Sequence, residues 1–374
     1  MKIALLICCV CYLFSFKAQT GVTLPTINIS PQFVANLGPA NNETSGLVYH
    51  HDTLFSINDS GNAPAIFAID PVTGNTMQTW AFLNAQNLDW EALTASSSKV
   101  FIGDIGNNMG NRQFFDIYQV DFVEMSLTDT LPTSKQTFYY PDQPIGPLPM
   151  NGHNFDAEAM AWKNDSLHIF SKNWVNLWTK HYVLPAIWQD TIAATLVDSF
   201  QVNGLITDAA YDSANNQIFL LGYQQQASGL YNTFMWMFWD FQNEIFNGTR
   251  RRLELGSTLS LAQTEGICIT GAYKGLISGE QINTVITIPP KIHSWDVAQL
   301  MSAKVEAAPL GVYFAENTLY LPDGFSEVLS LIDTNRKVVL QTQKGKRSYN
   351  LERLAPGTYY LLAHDWTYKW LKNN

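Results

Sequence analysis

The sequence predicts an all-β protein: a five-bladed β-propeller, with six blades as the alternative, followed by a small β-sandwich. Three observations carry that expectation. First, one short unit recurs, an acidic or small polar residue, then Gly or Ala, then an apolar run. It stands at Thr44-Ser45-Gly46-Leu47-Val48, Asp89-Trp90-Glu91-Ala92-Leu93, Asp156-Ala157-Glu158-Ala159-Met160, Thr207-Asp208-Ala209-Ala210-Tyr211 and Thr264-Glu265-Gly266-Ile267-Cys268. A unit repeated along a chain marks a repeat architecture. Second, aromatic residues make up 13% of the chain, and ring side chains favour pleated sheet. Third, from about Lys304 the texture changes to short, evenly spaced apolar strands.

Taking Gly46, Ala92, Ala159, Ala209 and Gly266 as markers, the repeats lie 46, 67, 50 and 57 residues apart. Blades of four strands need about 40 to 50 residues, so loop insertions stretch some of them. Each marker opens an inner strand. Second strands follow at 54–57, 100–105, 167–171, 218–222 and 275–279, and third strands at 65–70, 114–121, 177–183, 234–241 and 291–297. Fourth strands fit at 76–83, 135–140, 194–202 and 249–255, and the last repeat lacks one. The stretch 26–37 precedes the first marker with no repeat of its own. Pairing it with the last blade would close the ring and remove an exposed sheet edge. Phe234-Met235-Trp236-Met237-Phe238-Trp239 fits such a blade: strand side chains alternate, so both faces here are large and apolar and both must be covered. A sugar-binding platform is the other reading of these rings.

Composition excludes several classes. Hydrophobic residues make up 46% and charged residues 14%, which supplies a packed core and excludes general disorder. A formal net charge of -10 argues against nucleic acid, which needs a basic face. Lys2, the apolar run 3–16 and the small Ala18 read as a secretory leader over residues 1–18, too short to span a bilayer. Its removal would leave no transmembrane segment, and the mature chain is expected to be a monomer. Cys8, Cys9 and Cys11 lie in that leader, so only Cys268 would remain, buried and without a disulfide partner. Arg250-Arg251-Arg252 reads as the wet edge of an outer strand.

The propeller is expected over 19–303 and the sandwich over 304–374. Six strands fit the latter, at 319–321, 327–332, 338–341, 348–351, 358–363 and 368–371. Leu331-Ile332-Asp333 with Lys337-Val338-Val339, then Leu351-Glu352-Arg353-Leu354-Ala355-Pro356-Gly357-Thr358-Tyr359-Tyr360-Leu361, and the closing Lys369-Trp370-Leu371-Lys372 resemble the C-terminal sorting domain of the type IX secretion system. Asn335 stands where that family has a turn Gly, and the Asn-Pro opening is absent near Leu310. The resemblance implies a Bacteroidetes-type source, the type IX machinery as a partner, passage through the periplasm, and delivery to the cell surface or beyond.

Ring symmetry would gather the repeat acids at one mouth of the axis. Glu91, Glu158, Asp208 and Glu265 occupy the slot before the small residue, with Asp89 and Asp156 two residues earlier. Crowded carboxylates repel and resist ionising. A hard cation such as Ca²⁺, taking about six to eight oxygen ligands, would relieve them. The other reading has these acids accept backbone N–H groups of neighbouring blades. The loop Gly103-Asp104-Ile105-Gly106-Asn107-Asn108, with Gly110 and Arg112, offers Asp104 and Asn108 as oxygen donors and Arg112 to an anion. Asp59 sits in the corresponding turn one blade earlier, and His153 is the one histidine close to the acids, as a surface loop residue or a base. Neither a phosphate loop nor an EF-hand fits. The Asp-x-Glu-Ala and Glu-Gly-Ile signatures resemble the SdiA-regulated bacterial propellers, distant relatives of the NHL type. That resemblance implies a calcium site among Glu91, Glu158 and Glu265, with Asp208 departing where Glu is expected. It implies no activity.

No Gly-x-Ser-x-Gly or His-Glu-x-x-His is present. The leading expectation is therefore a non-enzymatic propeller, stiffened by Ca²⁺, that binds a ligand at the channel mouth. A metal-dependent hydrolase or lyase of the NHL-like or phytase-like kind, and a surface adhesin, are the alternatives.

Overall fold

The computed structural model describes residues 21–374 apart from 133, 187, 189–190, 284–286, 302–311, 316, 335–336, 364–366 and 373–374. The expected leader over residues 1–18, with Cys8, Cys9 and Cys11, and also Asn335 and the expected opening of the sandwich near Leu310, lie outside the described residues. Among those described, no helix is long and apolar enough to cross a membrane.

Five antiparallel sheets surround one axis. Blade 1 runs Thr44–His50, Thr53–Asn58, Ala65–Ile69 and Thr76–Phe82 from the axis outwards. Blade 2 runs Trp90–Ala95, Lys99–Asp104, Phe115–Asp121 and Ser134–Tyr139. Blade 3 runs Ala157–Lys163, Ser166–Ser171, Thr179–Pro185 and Thr195–Phe200. Blade 4 runs Leu205–Asp212, Gln217–Gln225, Tyr231–Trp239 and Thr249–Ser257. Blade 5 has Gln263–Gly271, Lys274–Glu280 and Lys291–Asp296 from its own repeat. The inner strand of each blade packs against those of the blades before and after it, and that of blade 5 packs against blade 1. The ring therefore closes with five blades, and the long second interval holds loops instead of a sixth.

The missing fourth strand of blade 5 comes from the other end of the ring. Gln32–Asn36 pairs antiparallel with Lys291–Asp296, Gln32 opposite Ser294. The single N-terminal strand expected at 26–37 is in fact two strands. Its first half, Thr23–Asn28, runs parallel to the outer strand of blade 4, Thr23 opposite Arg250. This corrects the reading of the arginines as a wet edge. Arg250 and Arg252 are buried, Arg250 beside the added strand and Arg252 on the face that blade 4 turns towards blade 3. Arg250 bonds Thr23 Oγ1 at 2.7 Å and the Phe246 carbonyl at 2.6 Å, and Arg252 lies over the Phe234 ring. Similar short strands, Thr130–Leu131 and Thr191–Ala193, cap blades 1 and 2 in parallel. Each removes part of an open edge.

Blade faces bury as the alternation requires. Phe234, Trp236 and Phe238 join a cluster shared with blade 3, whereas Met235 and Met237 join one shared with blade 5. These rings are interior packing between blades. Cys268 is buried as a free thiol, and burial pushes its pKa up to about 12. The C-terminal strands form two sheets. One pairs Tyr313–Ala315, Thr318–Tyr320 and Ser348–Asn350, and the other Val338–Gln341, Ser330–Asp333, Gly357–Leu362 and Thr367–Lys372. Leu319, Leu331, Tyr349 and Leu361 fill the core between them. All six expected strands are present, with Tyr313–Ala315 as a seventh.

Candidate functional site

Every inner strand carries a one-residue bulge at the same depth. Pairing with the second strand skips Gly46, Glu91, Glu158, Thr207 and Glu265, each lying between two paired residues. A bulge turns the extra side chain out of the pleat. Here it faces the axis, so three glutamates from blades 2, 3 and 5 meet there. Blade 1 has Gly46 at this slot, with φ +63°, and a Cβ there would lie 2.4 Å from the Leu93 nitrogen. Only glycine allows that approach of blades 1 and 2.

Thr207, not Asp208, fills the slot in blade 4, which corrects the repeat alignment by one residue. Asp208 is fully buried and accepts the amides of Ala209 at 2.8 Å and Ile267 of blade 5 at 2.7 Å. It ties blades together and does not join the cluster. Asp156 behaves likewise, accepting Asn107 N at 2.6 Å and the Trp174 indole at 2.8 Å. For these two acids the backbone-bonding alternative describes the geometry.

A second ring, unseen in the sequence, completes the site. It lies one residue beyond the second-strand partner of each residue preceding a bulge: Asn58, Ile105, Lys172, Tyr223 and Glu280. Aligning the second strands on the inner-strand register would have found Lys172 and Glu280. The repeat markers alone could not, because they lie on a different strand.

The two rings enclose a cavity of about 180 Å³ at the mouth of the axis, with Asp59, Glu91, Glu158, Lys172, Glu265 and Glu280 among its walls. On the blade 1–2 side, carboxylate oxygens of Asp59, Asp89 and Glu91 all lie within 4.8 Å of one another. Glu91 is 6% exposed, and its carboxylate has no hydrogen-bond partner among the described residues. Burial, then the charges of Asp59, Glu158 and Asp89, push its pKa well up. Burial and Asp59 raise Asp89 to about 7. Burial and Asp59 also raise Glu280 to about 8. On the far side Lys172 is paired with Glu158, its ammonium 5.1 Å from the Trp174 ring and 5.3 Å from the Tyr223 ring. Burial works against that charge, but Glu158 and the acids around it outweigh burial and hold the ammonium protonated. Gln263 Nε2 donates to Glu265 at 2.9 Å and to Glu280.

The loop after blade 2's second strand is scaffold. Asp104 binds Arg112 at 2.8 Å and accepts the Asp89 amide at 3.1 Å. Arg112 also donates to the carbonyls of Gly106 and Asp104, so it holds its own loop. His153 is buried, not a surface residue. Its Nε2 faces the Asn107 carbonyl at 2.9 Å and its Nδ1 accepts from Phe155 N at 3.1 Å. With both nitrogens engaged it is not a base for the pocket. Asn108 does line the cavity.

No protein-family model matches the chain, and no curated protein matches it. Among solved structures it is similar to 1,3Gal43A, an exo-beta-1,3-galactanase from Clostridium thermocellum, at 11% identity over 90% of this chain and 81% of that one, TM-score 0.43. It is similar to the catalytic domain of the Coprinopsis cinerea GH62 alpha-L-arabinofuranosidase at 12% identity over 73% and 96%, TM-score 0.38. A chain of the mitotic checkpoint complex matches at 11% identity and TM-score 0.29, and this chain spans 60% of it. Likeness this remote bears on no residue of the site.

Proposed function

We propose that the axial pocket holds a hard divalent cation, Ca²⁺, on Asp59, Asp89 and Glu91, and that the protein is an extracellular binding propeller built around it. One observation carries this reading: Glu91, a buried carboxylate without a partner, stands within reach of two more carboxylates. A buried charge must be paired or coordinated, and the one lysine lining the cavity already serves Glu158. The donors are all oxygen, the preference of Ca²⁺. The ligand set differs from the repeat acids: Asp59 enters it, and Asp156 and Asp208 leave it, as do Glu158, paired with Lys172, and Glu265, bonded by Gln263. When bound, the ion would neutralise the mouth and offer open positions to an oxygen-bearing ligand.

Calorimetry on chelated protein tests this. Ca²⁺ should bind, raise the melting temperature, and bind roughly tenfold or more weakly to Glu91→Gln. No heat and no shift at millimolar Ca²⁺, the range of extracellular modules, would sink the reading. Turnover of a phosphoester or lactone panel that disappears in Glu158→Ala would make the pocket an enzyme site instead.

The sandwich is the proposed export address. It supports that role as a separately cored unit of short strands ending in Thr367–Lys372. Residues 304–374 fused to a fluorescent protein should send it out of a type IX-competent bacterium; retention in the periplasm would refute the assignment.

A further inference from the structure

Beyond the acid trio, the pocket walls are built from groups that bond hydroxyls. Asn108 and Asn151 line the cavity, and their side-chain amides make no hydrogen bond among the described residues. Their backbones are joined, Asn151 N to the Asn108 carbonyl at 2.8 Å, which sets the two residues side by side at the rim. Trp174 adds a ring at the same rim.

A larger cavity of about 430 Å³ lies next door, with Asn42, Glu43, Asn58 and Asn62 facing Ala63 and Phe67. The wall between the two cavities is shared. Asp59 N donates to the Glu43 carbonyl at 3.0 Å, and Asn62 Nδ2 donates to the Asp59 carbonyl at 3.1 Å and to the Glu43 carboxylate.

This chemistry discriminates between ligand classes. An anion reaching the cation's open positions would meet the carboxylates of Glu158, Glu265 and Glu280 around it, and the one lysine of that lining is already paired with Glu158. An apolar molecule would strand carboxylates and amides away from water, at a cost per group comparable to a lost hydrogen bond. A simple amine would answer the charge and leave the amides idle. Neutral hydroxyls suit both kinds of group, because each O–H donates to a carboxylate or amide oxygen and accepts from an amide N–H. We propose that the two cavities are adjoining subsites for a neutral polyhydroxylated ligand, the end of a sugar chain, with one hydroxyl pair seated on the cation held by Asp59, Asp89 and Glu91. The inference rests on the cation reading above and adds the ligand to it.

The test is calorimetry of the full chain saturated with Ca²⁺. The probes are methyl glycosides of glucose, galactose, mannose and arabinose, the matching disaccharides, hexylammonium and inorganic phosphate. At least one neutral sugar should bind, and chelation should abolish that binding. Asn108→Ala removes a side chain with no internal bond, so the fold stays intact while sugar affinity falls roughly three- to tenfold. Ala63→Trp fills the outer groove from an exposed position, and should weaken a disaccharide while sparing the monosaccharide. If Ca²⁺ binds but no neutral sugar does, the inference is overturned and the cation reading stands. Binding of hexylammonium or phosphate in place of sugars overturns it as well, as does sugar binding that survives chelation.

Discussion

Asp208 and Glu91 show how one residue of register separates a structural acid from a binding one. Asp208 lies just past its bulge, and its two oxygens meet amides of its own blade and of blade 5. Asp208→Ala should therefore cost about 3 kcal/mol in chemical denaturation, from the buried amides left unsatisfied, with Ca²⁺ affinity unchanged. Glu91→Gln should do the opposite, leaving the apo protein at least as stable, since it removes a charge from a repelling cluster. Titration separates the sites further. Asp89 and Glu280 have folded pKa values raised to about 7 and about 8, so the folded state holds more protons than the unfolded chain. Their contribution is complete below the ordinary carboxylate range and is lost as pH rises through those values. Melting of the apo protein should fall from about pH 7.5 to 8.5, where unfolded histidine is mostly neutral, and Ca²⁺ should flatten that slope. His168 works with the reverse sign. It lies 2.8 Å from His181, which bonds Asp198 at 2.8 Å, and burial pushes its pKa down to about 3. Its share of stability is present above about pH 6.5 and drains as pH falls towards 3. A His168→Gln protein should show a shallower loss over that window.

At the scale of elements, closure of the ring was legible because the last repeat visibly lacks a strand and the N-terminal stretch visibly lacks a repeat. The division of that stretch was not legible. Pro31 falls between Thr23–Asn28 and Gln32–Asn36, but whether both halves serve blade 5 depends on which outer edges lie within reach in space. The fate of Arg250 follows from that division, since an arginine looks alike on a wet edge and beside an added strand. Deleting residues 21–29 should uncover Arg250 and lower the melting temperature while leaving a folded ring and Arg252 buried. Deleting through Asn36 should open blade 5 and give aggregation on size-exclusion chromatography, because an unpaired edge templates other chains.

Across the whole molecule, no blade buries its faces alone. Phe234, Trp236 and Phe238 complete one interface and Met235 and Met237 the next, so damage at one strand is felt on both sides. Phe234→Ala should destabilise by about 3 to 5 kcal/mol and melt the propeller in one transition, measurable by calorimetry. The sequence by itself determined the propeller architecture, the inner strands, the closure of the ring, the sandwich strands, and the gathering of Glu91, Glu158 and Glu265. All of these follow from periodicity, which is a property of the chain read along its length. The choice of five blades over six waited on the packing of the inner strands. Only the tertiary structure decided that Asp59 joins Asp89 and Glu91, that Lys172 and Glu280 line the same pocket, and that Asp156, Asp208, Arg112 and His153 hold the scaffold. The reason is geometric. A bulge shifts the register by one residue without leaving a mark in composition, and an acid becomes a ligand or a strut according to which amides from other blades happen to face it.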